Sequence, residues 1–304
     1  MAFTSTNYIP TIWSPLVQGA LYANTCLSQI ANTNWEGEIK NYGDTVKIRL
    51  IPHLTIRDYD PDDDLIAEDP TKSLVELLID KGKYYNFNAE YVEVKQSDIP
   101  FIKKFADGAG IDMKVAIEKA IFADIYTDAD SDNAGATAGA INGNINLGTA
   151  AAPVSITAAN VVEKVTDLSL VLDEQDIPMI DRWGLLPAWV HRLLTQSDAF
   201  EANTSGNSKS ALLMGKIGEF SNLNLYNSNT LHTADTAASG DGTAQQFDII
   251  AGHKSALTFA SQLLISSEKI KAAKGFKDYY RGLHVYGYEV VRPVRLVHAV
   301  WKKG

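Results

Sequence analysis

The spacing of apolar side chains changes period along the chain, and each change predicts an element. Residues 1–15 read as an irregular arm, because Pro10 and Pro15 resist helix among Thr, Ser and Asn. Leu16, Ala20, Ala23, Leu27 and Ile30 then recur every three or four positions, the stripe of a short amphipathic helix. From Gly43 the period becomes two. Val46, Ile48 and Leu50 alternate with Thr45, Lys47 and Arg49, and later Val75, Leu77, Ile79, Tyr85, Phe87 and Ala89 alternate with mostly polar neighbours. The second run would span roughly 50 Å as one strand, with Gly82 as a candidate bulge. Between the runs, residues 58–69 with Pro61 and Pro70 form an exposed tip. A two-stranded ribbon is marginal alone in water, so something must cover it, and few other segments of the chain are positioned to do so.

The helical period returns after Ser97-Asp98-Ile99-Pro100, which reads as a helix start. Ile102, Phe105 and Ala106 share a face; Gly108 and Gly110 break or kink the run; Ile111, Val115, Ile117, Ala120, Ile121 and Ile125 resume it. The expectation is a short helix followed by one of about four to five turns. Residues 130–153, rich in Ala, Gly and Asn, read as a loop or boundary. Thr157 is placed to cap a helix carrying Val161, Val165, Leu168 and Val171 or Leu172. Trp183 to Leu186 reads as a buried strand, with Pro187 in the first turn of a helix through Leu194. Gly215 and Gly218 precede a strand with Phe220, Leu223, Leu225 and Tyr226; residues 234–246 read as a surface loop. Strands are expected over 256–264, 279–291 and 294–301, and no internal repeat is found. The pattern is α+β.

Composition narrows the function. Against 37 Asp and Glu stand 27 Lys and Arg, a net charge of −10 with His neutral, which disfavours gripping nucleic acid through its phosphates. A single Cys26 excludes an intrachain disulfide framework and Cys-based metal clusters, and fits a reducing compartment. The first charge is Glu36, but without basic residues ahead of an unbroken apolar run the start does not read as a secretory signal. No stretch approaches the ~20 apolar residues of a membrane span, so the chain is expected to be soluble and cytosolic. The charge is unevenly spread: residues 58–69 hold seven acids and no base, whereas 268–304 hold nine bases and three acids.

The search for chemistry finds no phosphate loop, no Gly-x-Ser-x-Gly elbow and no His-Glu-x-x-His. Gly215 and Gly218 lack the third glycine of a dinucleotide site. Asp128, Asp130 and Asp132 begin like a calcium loop, but Asn133 and Gly139 occupy the positions of its glycine and bidentate acid. Asp60, Asp62, Asp63 and Asp64 at the ribbon tip suit solvation or docking on a basic neighbour better than a cation. His53, His191, His232, His253, His284 and His298 lack metal-like helical pairing and read as structural or surface residues. Cys26, without a local base, reads as a buried small hydrophobe. Lys269, Lys271, Lys274 and Lys277 form the basic cluster, suited to solvation or to an acidic neighbouring chain; the aromatic interleaving of a nucleic-acid platform is missing. No catalytic, cofactor-binding or metal-ligating residue is nominated.

The order of parts carries more information than any motif. Leu213-Met214-Gly215-Lys216-Ile217-Gly218-Glu219-Phe220 leading to Tyr226-Asn227-Ser228-Asn229, and the run from Gly252-His253-Lys254-Ser255-Ala256 to Arg292-Pro293, sit within an uncharged arm, a long ribbon, a long helix, an α/β unit and final strands. This arrangement resembles the major capsid (coat) protein family of tailed bacteriophages, the Johnson fold, over nearly the whole chain. The resemblance implies an N-terminal arm and short helix (1–37), an extended E-loop ribbon with flanking strands (38–95), a P domain with spine helix and loop (96–153), an A domain (154–252), and terminal strands returning to the P domain (253–304). The spine helix would run from Ile111 to Thr127.

It further implies a non-enzymatic homo-oligomer: pentamers and hexamers enclosing double-stranded DNA without sequence-specific binding, assembled in the host bacterial cytoplasm into the virion capsid, with no cofactor and no membrane. In such shells each E-loop lies across an adjacent subunit, whose surface buries its apolar face. The implied partners are a portal, decoration proteins and a scaffolding protein, or else removal of a scaffolding region by cleavage, since no long charged helical N-terminal region is present. Some relatives crosslink an E-loop lysine to a C-terminal asparagine; residues 289–304 contain no Asn, which speaks against that chemistry. The alternatives are an encapsulin-like shell around protein cargo and, from a different class, a motif-poor soluble α/β enzyme.

Overall fold

The computed structural model describes residues 25–34, 45–51, 54–58, 67, 69, 73–91, 95, 101–197, 219–235, 245–272 and 275–304. The arm over 1–15, the Leu16, Ala20 and Ala23 part of the expected short helix, the helix start at 97–100 and positions 213–218 of the Leu213–Phe220 run lie outside these residues. The first element is a single turn, α1 (Leu27–Ile30). The ribbon follows as β1 (Thr45–Leu50) and β2 (Ser73–Leu78), antiparallel with Val46 opposite Leu77 and Ile48 opposite Val75. The second alternating run does not continue as one strand. It breaks after Leu78, and β3 (Lys81–Glu90) joins a different sheet, pairing through Gly82 without a bulge.

Helix α2 (Phe101–Phe122) runs unbroken through Gly108 and Gly110, against the expectation of two helices. Two glycines cost about 1 kcal/mol each in a helix interior. Packing of one long apolar stripe, with Met113, Ile117, Ile121 and Phe122 buried, overrides that preference. The helix stops at Phe122, and a 3-10 turn over Ile125–Asp128 stands where its expected last turn would be. Residues 130–153 are a loop, as read, yet one that feeds the core: Ala138, Ile145 and Leu147 are buried, and the Leu147 carbonyl accepts from the Val300 N–H. After β4 (Val154–Ile156) comes α3 (Val161–Glu174), whose apolar stripe is buried as its spacing predicted. Thr157 does not cap it. Its hydroxyl and N–H both turn to Asn160 Oδ1, and only its carbonyl receives the Val161 N–H.

β5 (Arg182–Leu186) is buried along its whole length, and Pro187 stands just before α4 (Ala188–Thr195) rather than within its first turn. Then follow β6 (Glu219–Phe220), β7 (Leu223–Asn227), β8 (Thr233–Asp235), β9 (Gln245–His253), β10 (Leu257–Lys271), β11 (Lys277–Val290) and β12 (Leu296–Lys303). Strands β8 and β9 encroach on both ends of the expected 234–246 loop.

Among the described residues, a seven-stranded sheet is ordered β4-β12-β9-β5-β7-β6, with β8 also on β9; a three-stranded sheet is ordered β10-β11-β3; and β1-β2 form the ribbon. One core joins α1, α2, α3 and the larger sheet to the roots of β10 and β11. The smaller sheet is contacted on both faces, although Gly82, Tyr84, Asn86 and Asn88 of β3 stay exposed. Phe87 meets Phe105 of α2 on one face, and the ribbon root crosses Gly287 on the other. Residues 25–34 strap across this body, with Asn32 bonded to Leu257 and Phe259 at the start of β10.

Candidate functional site

The ribbon is the first surface to test. Its inward row is not left for another chain, because Ile48, Leu77 and Ile79 are buried against Ala260 and Val291 of the same chain, with Val46, Leu50, Val75 and Val285 alongside. The cover that the sequence does not reveal is supplied by Ala260 of β10 and by Val291 just past the end of β11. Past the paired segment the protection ends: Ile51 is 90% and Ile56 91% exposed, and Leu54 between them is exposed as well.

Of the acidic tip, Asp60, Asp62, Asp63 and Asp64 lie outside the described residues, as does Lys274. Lys269 and Lys271 end β10 and Lys277 opens β11, so the fold gathers these lysines at one hairpin end. Lys269 is engaged at home. Its Nζ lies 2.7 Å from Asp278 Oδ2, while the Tyr91 hydroxyl donates to Asp278 Oδ1 at 2.8 Å. The Lys269 hydrogen bond holds the Asp278 carboxyl below the usual range, outweighing desolvation, with Tyr91 adding to it. Lys271 and Lys277 form no ion pair with a described residue, and Phe276 is exposed beside them.

Two buried carboxylates went unmarked in the sequence. Glu118, on the apolar stripe of α2, is fully buried and accepts from the Cys26 N–H at 2.6 Å, the Leu27 N–H at 2.9 Å and the Thr230 hydroxyl at 2.7 Å. It fastens the N-terminal strap to α2 and to the loop after β7. A charged residue set inside an apolar stripe was the available signal. Cys26 beside it is buried as expected, and desolvation with the Glu118 charge pushes its thiol up to about 12, which disfavours the thiolate.

The second is Asp248 of β9. His298 Nε2 meets one of its oxygens at 2.8 Å and His232 Nδ1 the other at 2.6 Å, with the Tyr126 ring against both imidazoles. Burial alone would raise the Asp248 carboxyl, but the two histidine hydrogen bonds hold it below its ordinary range. These histidines are structural, as the lack of helical pairing suggested. Asp130 accepts the Asp132 N–H to close a local turn, and buried Asn133 bonds the carbonyls of Val294 and Leu296. Among the described residues no group of three or more His, Cys, Asp or Glu is placed to hold a metal, and no helix is long and apolar enough to cross a membrane. The buried polar groups join elements of the fold; the exposed features are apolar and charged patches suited to contact.

Neither a protein-family profile nor a curated protein matches the chain. Solved structures do. A chain from Mycobacterium phage Che8 is 24% identical, with a TM-score of 0.75, over 96% of this chain and 97% of that one. The capsid structure of the cyanophage P-SCSP1u contributes a chain 14% identical, with a TM-score of 0.73, over 98% of this chain and 94% of that one. The capsid of Ralstonia phage GP4 contributes another, 11% identical, with a TM-score of 0.68, over 100% of this chain and 98% of that one. At these identities the likeness is one of architecture. The chain has the mixed α+β Johnson fold of phage capsid chains, from end to end.

Proposed function

We propose that this chain is the major capsid protein of a tailed phage, a structural protein without catalytic function. Many copies form pentamers and hexamers that close an icosahedral shell around double-stranded DNA. The observation that supports this best is near-complete coverage by capsid chains in both directions, which leaves neither partner a large unmatched domain. In this reading β1 and β2 belong to the E-loop; α2 with β3, β10 and β11 forms the P domain; and residues 154–252 form the A domain. The terminal strands at 253–304 return to the P domain, with β12 also contributing to the larger sheet. An acidic chain suits a container for DNA, since a strongly basic lining would hold phosphates and hinder movement of the genome.

The shell assembles in the host bacterial cytoplasm and persists as the virion capsid. Its partners are copies of itself, a portal, decoration proteins and a scaffolding protein or a cleaved equivalent. The acidic ribbon tip docks near a neighbour's basic cluster of Lys269, Lys271, Lys274 and Lys277, in which Lys269 already pairs with Asp278 while Lys271 and Lys277 form no ion pair with a described residue. Reversing Asp62, Asp63 and Asp64 to Lys should therefore impair assembly; normal particle yield at moderate salt would sink that contact.

Sedimentation and electron microscopy of the purified protein test the whole reading. Megadalton particles or capsomers are expected, whereas a stable 33.2 kDa monomer would favour an enzyme. Nuclease-protected DNA in the particles separates a phage shell from one built around protein cargo.

A further inference from the structure

The sequence holds one Asn-Gly step, Asn142-Gly143, in which a backbone N–H follows an amide side chain with no Cβ to hinder it. It lies in a turn that the chain builds between two paired residues, Ala138 and Ile145, and both Ile141 and Asn142 are exposed there. Gly143 stands at φ 59° in open space, and its N–H donates to the Gly139 carbonyl at 3.0 Å. One carboxylate holds the rest of the turn. Glu174 Oε2 accepts the Ile141 N–H at 3.0 Å and the Asn142 N–H at 3.3 Å, and its Oε1 accepts from the Asn142 side-chain amide. Gly139 leaves room for that carboxylate, since a Cβ there would stand 2.7 Å from Glu174 Oε2.

Glu174 is poorly placed for its own helix. It is the last residue of α3, where the helix dipole disfavours negative charge, and the last turn holds no basic residue. Among the described residues no cation pairs with it, and the Arg182 guanidinium is taken by Asp173. What answers the Glu174 charge is the turn, through two backbone N–H groups and the Asn142 amide. That amide is also the group the Asn-Gly step can lose. The Gly143 nitrogen attacks Asn142 Cγ, the Cγ–Nδ2 bond breaks, and the Gly143 proton leaves with the amide nitrogen as ammonia while a succinimide ring closes. Water then opens the ring at either carbonyl, giving aspartate or isoaspartate at 142, the second with an extra methylene in the main chain. In the closed turn both reacting groups are occupied, the nitrogen on Gly139 and the amide on Glu174. After the reaction the donor is gone and a carboxylate faces Glu174, and like charges with no cation between them oppose reclosure.

We propose that Asn142 is a modification site, a succinimide-forming position that Glu174 latches: the closed turn protects it, and an opening that ends in deamidation removes the latch for good. Water is the co-reactant and ammonia the product lost. The site is complete within one copy of the chain and stands whether or not copies build a shell. Ala138 and Ile145, the roots of the turn, belong to the core, so the modification loosens the pairing at that bridge and leaves the fold in place.

Peptide mapping of the purified full-length chain, held native at mildly alkaline pH, tests this. The reaction is read as replacement of NH2 by OH in the peptide carrying Asn142, and as the splitting of that peptide into aspartate and isoaspartate forms. Both forms are expected, slowly in the native wild type and faster in urea. Glu174→Ala should speed the native reaction by about tenfold or more, the factor that loss of one hydrogen bond to a charged group supplies, with Glu174→Gln in between. Unchanged amide exchange outside 138–145 assigns the faster reaction to the turn rather than to global unfolding. Asn142→Asp reads the consequence directly: amide exchange should rise over 138–145 and stay as in wild type elsewhere. Equal native rates in wild type and Glu174→Ala overturn the latch, as does unchanged exchange in Asn142→Asp. A peptide that stays unmodified in urea, or yields aspartate alone, overturns the site.

Discussion

Replacing Gly287 by Ala tests how the ribbon root is held. A Cβ on Gly287 would stand 2.2 Å from the Leu78 carbonyl oxygen, 2.9 Å from its carbon and 3.1 Å from Ile79 Cα, whereas real Cβ contacts essentially never fall below 3.0 Å. All three atoms are backbone, so no side-chain rotation relieves the clash. Either β11 bends or the chain leaving β2 lifts away, and lifting it strips cover from Ile48, Leu77 and Ile79. Overpacking costs about 1–3 kcal/mol, and we expect the upper end, roughly a hundredfold in the folded-to-unfolded ratio. The control is Gly82→Ala, where the nearest atom lies at 3.8 Å, an ordinary contact. Urea unfolding of the unassembled subunit should show a lowered midpoint for the first variant only, and amide exchange should rise over residues 73–79. Equal midpoints for the two variants would refute the close crossing.

Gly110→Ala meets nothing within 4 Å and should stabilise α2 by about 0.5–1 kcal/mol, read as a raised urea midpoint; a loss would mean that the helix is not continuous there. Glu118→Ala leaves the buried Cys26 N–H and the partly buried Leu27 N–H without their acceptor and the Thr230 hydroxyl with Ser228 alone, and should cost about 1–3 kcal/mol; it should also speed thiol labelling of Cys26 in the native state, with Glu118→Gln milder on both readouts. Asp248 has a folded pKa below the ordinary carboxyl value of 3.8, so its contribution is fully present above that pH and is lost as pH falls through the depressed folded value. Asp248→Asn should therefore be less stable than wild type at neutral pH, with the difference shrinking in acid, as measured by urea midpoints across pH.

The elements legible in the sequence were those whose periodicity is local. The alternation of Val46, Ile48 and Leu50, the buried run Trp183 to Leu186 and the stripe of α3 all reappear in the structure. Strand β9 was not legible because it is buried on both faces and so shows no alternation, while Asp248 within it mimics a surface position. What answers that charge, His232 and His298, lies 16 and 50 residues away. The ribbon's cover was missed for the same reason: Ala260 and Val291 reach Ile48 and Leu77 only through the fold. The lysine cluster was legible as a cluster, but not the engagement of Lys269, which depends on the antiparallel register that sets β10 beside Asp278.

The exposed Ile51, Leu54 and Ile56, a limb of the ribbon leaving β1, also bear on how strong one contact between copies can be under the shell reading. Burying Ile51, Leu54 and Ile56 completely would contribute about 1.5–3 kcal/mol each, or roughly 5–9 kcal/mol in all, before any charge pairing. Association of two chains costs about 4–15 kcal/mol in lost freedom alone. A single limb on a single neighbouring copy is therefore close to balance and readily reversible. Under the shell reading, each copy both gives a limb and receives one, so a closed ring adds one contact beyond those that an open chain of the same copies can make. That last contact forms at high effective concentration and carries no further cost of bringing a free chain into place. Marginal pairing with cooperative closure lets misplaced copies leave before a ring completes, which a stronger limb would prevent.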